Sequence, residues 1–79
     1  MKIKARLYAT LAKYRPGESG RHEWIGVCPT DATVEEFLLQ TGVPLDQANL
    51  IFINGVSRSL DSVLQDGDQL GVFPAIGGG

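Results

Sequence analysis

The residues with the most distinctive chemistry stand at the end of the sequence, where Phe73-Pro74-Ala75-Ile76-Gly77-Gly78-Gly79 passes from an aromatic ring through a proline to three glycines. A glycine run that cradles phosphate needs a helix behind it to present N–H groups, and none follows this one. The group left to act is the α-carboxylate of Gly79. With a pKa of about 3.5 it is ionised at neutral pH and can attack the α-phosphorus of ATP to give a mixed anhydride. The carbonyl of that anhydride is electrophilic, and a glycine at the α-carbon leaves the approach of sulfur or an amine open. Pro74 cannot donate to a sheet ladder, so the strand before it ends there and the following residues are expected to project. Residues 75–79, extended at roughly 3.3 Å each, reach on the order of 17 Å, enough to thread a narrow channel in a partner. The expected division is a domain over residues 1–74 and a tail over residues 75–79, in which Gly78, Gly77, Ile76, Pro74 and Phe73 are the positions a partner grips.

Nothing else in the sequence assembles a reactive site. His22 is the only histidine and falls in an expected strand with no activating partner. Cys28 is the only cysteine. It has no cation beside it to lower its pKa, so it reads as an inert small residue. One cysteine and one histidine cannot complete a four-ligand zinc site or hold an iron–sulfur cluster, so no metal is expected. Glu35 and Glu36 suit the start of a helix, and Asp66 and Asp68 flank a turn glycine. Both pairs read as structural.

Size and charge narrow the function further. A chain of 79 residues, 43% hydrophobic, makes one modest core, and a deep pocket walled by that core is not expected. The net charge of −2, with both signs interspersed, lacks the basic stripe that nucleic acid or an anionic membrane requires. No apolar run is long enough to span a bilayer and no secretory leader is visible, so the expected location is the cytoplasm.

The elements that must carry the tail can be read from periodicity. Ile3, Ala5, Leu7, Ala9 and Leu11 alternate with polar residues, a period of two that predicts a half-buried strand. Arg15 to Gly20 reads as a loop, and His22 to Val27 as the return strand of a hairpin, with Trp24 over the core. Thr33-Val34-Glu35-Glu36 has the capping-box pattern. Val34, Phe37, Leu38 and Thr41 continue it at helical spacing, and Gly42 and Pro44 stop it. A short helical turn follows over Pro44 to Asn49. The run Leu50-Ile51-Phe52-Ile53 then meets Asn54-Gly55, a strong hairpin signal. Val56 to Leu60 returns, Asp66-Gly67-Asp68 turns, and Gln69 to Phe73 forms the last strand with Leu70 and Val72 on one face. Alternation puts Phe73 on the other face as a candidate anchor, unless the strand bends at Pro74 and the ring caps the core. The economical architecture is α+β of the β-grasp type, with one helix packed across one face of a mixed sheet.

Three segments resemble the MoaD/ThiS family of ubiquitin-like sulfur carriers: Leu7-Tyr8-Ala9-Thr10-Leu11, Asn54-Gly55, and Asp66 through Pro74 running into Gly78-Gly79. The resemblance covers the whole chain, and its length and Phe73-Pro74 junction look most like the small subunit of molybdopterin synthase. Ala75 departs from the second proline common there, and Gly77 from a larger residue. The resemblance implies that an adenylating enzyme of the ubiquitin-activating type charges Gly79 with ATP it binds itself, this chain holding no cofactor. A sulfur donor then converts Gly79 to a thiocarboxylate, and an acceptor like the large subunit of molybdopterin synthase takes the sulfur, most often for the molybdenum or tungsten cofactor. The chain would be a carrier and not an enzyme. Three alternatives share the same features: a carrier for thiamine thiazole or another sulfur-containing metabolite, a ubiquitin-like modifier joined to lysines, and a non-catalytic ubiquitin-like binding module.

Overall fold

The structure is a computed structural model and describes residues 1–17 and 23–75. Five strands form one sheet in the order β2-β1-β5-β3-β4, with β1 at Lys2–Leu7, β2 at Glu23–Val27, β3 at Leu50–Ile53, β4 at Val56–Arg58 and β5 at Gln69–Phe73. The central pair β1 and β5 runs parallel, and every other neighbouring pair is antiparallel. Among the described residues one α-helix, α1 at Val34–Thr41, shares a core with the sheet. This is the expected β-grasp.

Alternation in β1 places Ile3, Ala5 and Leu7 in that core, where they join Phe37 and Leu38 of α1 and Leu70 and Val72 of β5. The expected first strand ran on to Leu11, and here the structure differs. β1 ends at Leu7, Ala9 takes a positive φ of 51°, and residues Ala9–Tyr14 form a 3-10 helix. Leu11 is still fully buried, because the turn swings it back under the sheet. Spacing of four between Leu7 and Leu11 suits this turn as well as it suits a strand, so the period alone could not decide.

The helix start is fully satisfied inside the chain. The Thr33 hydroxyl accepts from the Glu36 N–H, and the Glu36 carboxylate accepts from the Thr33 N–H. The two earlier helical N–H groups, of Val34 and Glu35, donate to the carbonyls of Ser62 and Leu60. All four N–H groups left open at this helix start, those of Thr33, Val34, Glu35 and Glu36, thus have partners, and the Phe37 N–H makes the first intrahelical bond, to the Thr33 carbonyl. Gly42, at φ 94°, closes the other end and donates to Leu38 and Leu39. The expected helical turn after Pro44 is present at Leu45–Gln47.

The acidic residues around Gly67 are structural, as the sequence predicts. Asp66 accepts from the Lys2 N–H at 2.8 Å. Asp68 is buried and accepts from the Gln65 N–H and the Asn54 side-chain NH2, while the Asn54 side-chain oxygen, Oδ1, accepts from the Gln69 N–H. This knot ties the Asn54-Gly55 hairpin to the start of β5. Among the described residues, no helix is long and apolar enough to cross a membrane.

Candidate functional site

β5 delivers the chain to its end, and the sheet fixes where that happens. On one side β5 pairs in parallel with β1 from Lys4↔Gln69 to Leu7↔Val72. On the other it pairs antiparallel with β3 from Ile53↔Leu70 to Leu50↔Phe73. A strand held on both sides cannot slip register without turning its buried residues outward. The ladder ends where Tyr8 N–H donates to the Val72 carbonyl at 3.0 Å and Asn49 N–H to the Phe73 carbonyl at 2.9 Å. Pro74, half-buried, removes the next donor, and Ala75 is exposed. Ile76, Gly77, Gly78 and Gly79, and with them most of the expected tail, lie outside the described residues, as does His22.

Phe73 sits on the open face of the sheet, on the side opposite Leu70 and Val72, and it does not cap the core. Its ring stacks on Tyr8 with centroids 4.0 Å apart and planes 9° apart. Phe52 meets it edge-on at 5.6 Å. The Arg6 guanidinium lies 4.8 Å from the Tyr8 centroid. An open groove of about 400 Å³ lies beside this cluster, between Arg6, Tyr8, Phe52, Gly71 and Phe73. It is a trough on the sheet surface and not a cavity in the core.

The sequence reading singled out Phe73 alone on this face. Arg6 was within reach of it, as an outward position of an alternating strand; Tyr8 follows the end of β1 and Phe52 lies in a continuous apolar run, so the pattern assigns neither a face. What was missing was the strand order that places β5 between β1 and β3. The other polar candidates are not brought together. Glu36 belongs to the helix cap. Cys28 is buried, and that burial pushes its thiol pKa up; the N-terminal ammonium opposes the shift and Glu36 adds to it. A buried, neutral thiol is a poor nucleophile. Among the described residues, no group of three His, Cys, Asp or Glu side chains is placed to share a metal ion.

The family model described as Mut7-C ubiquitin matches residues 1–77. Among solved structures, SAMP1 from Haloferax volcanii is 24% identical with a TM-score of 0.70, covering 100% of both chains. Molybdopterin converting factor subunit 1 from Pyrococcus furiosus is 24% identical with a TM-score of 0.68, covering 95% of this chain and 98% of that one. In the complex of subunits 1 and 2 of molybdopterin-converting factor from Helicobacter pylori, the matching chain is 20% identical with a TM-score of 0.58 and 100% coverage of both. These structures share the ubiquitin-like fold with this chain. No curated relative matches it.

Proposed function

The chain belongs to the Mut7-C ubiquitin family, and from that premise we propose that it is a cytoplasmic sulfur carrier whose working group is the carboxylate of Gly79. The observation that carries the reading is the exit of β5. The last strand is clamped by β1 up to Val72 and by β3 up to Phe73, and the ladder ends before Pro74, beside an aromatic cluster on an otherwise open face. A chain end launched from a rigid central strand can be aimed at a partner's active site. Residues 75–79 then thread that site, with Phe73 and Pro74 at its mouth and Ile76, Gly77 and Gly78 inside.

The chemistry divides between this chain and its partners. An adenylating enzyme of the ubiquitin-activating type binds ATP, the Gly79 carboxylate attacks the α-phosphorus, and pyrophosphate leaves. A sulfur nucleophile at the oxidation level of sulfide, supplied by a donor protein, adds to the acyl carbonyl. AMP leaves with the electrons of the broken C–O bond, and a thiocarboxylate remains. An acceptor synthase takes that sulfur, and assembly of molybdopterin is the use we favour: among the structural neighbours is a subunit 1 seated on subunit 2 of molybdopterin-converting factor. The chain itself is a co-substrate, not an enzyme.

The experiment separates the two roles. Calorimetry of the purified chain with ATP and magnesium should give no binding heat. Adding an adenylating enzyme from the same cells should start pyrophosphate release that depends on this chain. Tight ATP binding by the chain alone would overturn the division of labour.

A further inference from the structure

We infer that the free edge of β2 is a self-association site, at which a second copy of this chain pairs strand to strand about a two-fold axis at Ile25. The argument begins with the backbone groups of β2 that are already in use. Met1 and Cys28 exchange both main-chain bonds, and in an antiparallel ladder bonded pairs recur at every second residue. Ile3↔Gly26 and Ala5↔Trp24 are therefore the next bonded pairs in the register. The other side of β1 agrees: the Lys4 N–H donates to the Asp68 carbonyl at 2.9 Å, and the Gly67 N–H to the Lys2 carbonyl at 2.8 Å. Even residues of β1 thus serve its far side, and Glu23, Ile25 and Val27 turn their N–H and C=O groups away from the sheet. Among the described residues one of these outward groups has a partner, the Val27 carbonyl, which accepts from the Gln40 side-chain amide at 2.7 Å.

A row of open donors and acceptors at a sheet edge is a template for another strand. The two edges of this sheet differ. β4, at the opposite edge, is three residues long and carries Arg58, features that blunt an edge. β2 is five residues long, and its run Trp24-Ile25-Gly26-Val27 has no charge and no proline. Ile25 is 58% exposed and Val27 63%, so both keep most of their apolar surface in water.

The edge is complementary to itself. With the axis at Ile25, the outward groups of all three residues are used without leaving the strand: Ile25 pairs with Ile25 of the second copy, and Glu23 with Val27 in each direction. A carbonyl oxygen has two lone pairs, so that of Val27 keeps one for the Glu23 N–H beside Gln40. Register then sets Lys4 and Ile25 in one row with Ile25 and Lys4 of the second copy, and Arg6 and Glu23 in a row with its Val27 and Lys2. Apolar side chains meet at the seam, and no like charges stand opposite each other. An axis at Glu23 would oppose two carboxylates, and one at Val27 would bring in Pro29, which has no N–H to donate. β1 lies between β2 and β5, so the dimer leaves Phe73 and the exit of the chain end uncovered. Pairing succeeds or fails whether or not Gly79 is ever charged.

Five residues a side fall well short of the roughly 20–30 in a stable interface, so the association is weak and concentration-dependent. The test is sedimentation and NMR of the whole chain from about 10 µM to about 1 mM. The average mass should rise toward that of a dimer, with amide shifts centred on Glu23, Ile25 and Val27 and none at Ser57 in β4. The Ile25 N–H, without an acceptor in the monomer, should exchange about twofold more slowly once half the chains are paired. Ile25→Glu and Ile25→Lys should each abolish association by setting like charges across the axis. Mixed in equal amounts they should restore it, because the hybrid pair sets opposite charges there. Should either variant fold poorly, Ile25→Pro removes the outward N–H, a loss that an edge strand tolerates, and should likewise give a monomer. A mass that stays monomeric across the range, association with shifts centred away from β2, or charged variants that associate alone or fail to associate together would each overturn the proposal.

Discussion

One residue added after Gly79 should abolish charging and leave the fold as it was. Extension moves the carboxylate roughly 3.5 Å further along a partner's channel and puts an amide where the activated carbon belongs. Misplacement by 1 Å can cost about a hundredfold in rate, so pyrophosphate release should fall by at least that factor. Deleting Gly79 keeps a chemically equivalent glycine carboxylate on Gly78 but retracts it by the same distance, and it should fail for reach. Neither change touches the sheet: the last main-chain bond that fastens β5 among the described residues is the one from Asn49 to Phe73. Melting temperatures should match the parent. Parental charging of both variants would mean that the carboxylate is not the working group, and the binding-module reading would replace the carrier.

Gly26→Ala should produce the largest loss of stability from the smallest added volume. Its Cβ would lie 2.5 Å from Phe37 Cζ and 2.6 Å from Cε2, distances at which something must move. Phe37 is 1% exposed, and the Trp24 ring stacks on it with centroids 6.2 Å apart, so it has little space to retreat. Overpacking of this kind costs about 1–3 kcal/mol, and in a domain of this size each kcal/mol lowers the melting temperature by about 4–8 °C. The mechanism predicts coupling. Phe37→Leu removes the colliding ring atoms at its own cavity cost, and adding Gly26→Ala to that background should cost much less than it does in the parent. Thermal unfolding of the four proteins checks this, and strict additivity would show that the clash is not the cause.

Most of the scaffold was legible in the sequence because local signals agreed with the global fold. The alternation of Ile3, Ala5 and Leu7, the Thr33–Glu36 box, the Asn54-Gly55 turn and the shared face of Leu70 and Val72 each named an element that the structure contains. Failures came where one pattern fits two conformations. Leu7 and Leu11 satisfy a strand and a tight turn equally, and the chain took the turn. The return strand expected over Val56 to Leu60 stops at Arg58, because Leu60 and Ser62 spend their carbonyls on the start of α1, a long-range demand no local pattern shows.

Of the candidate site, alternation offered Phe73 as an outward residue but left open a bend at Pro74 that would turn the ring onto the core, and the stacking of Phe73 on Tyr8 decides its orientation. The cluster around it was not legible, since Arg6, Tyr8, Phe52 and Gly71 become neighbours only when β5 inserts between β1 and β3. Gly71 drew no attention for the same reason: a glycine in a strand means little until the side chains on either side of it are known.

The most direct measurement is the intact mass of the chain purified from the cells that make it. Replacement of one carboxylate oxygen by sulfur adds about 16 mass units, the same nominal gain as one oxidation at Met1 or Cys28, so fragmentation must place the change. The carrier account predicts a chain ending at Gly79 with a sub-population that carries the added mass on that residue and that iodoacetamide alkylates there. A chain with an unmodified carboxylate under all growth conditions, or one whose added mass always maps to Met1 or Cys28, would contradict it.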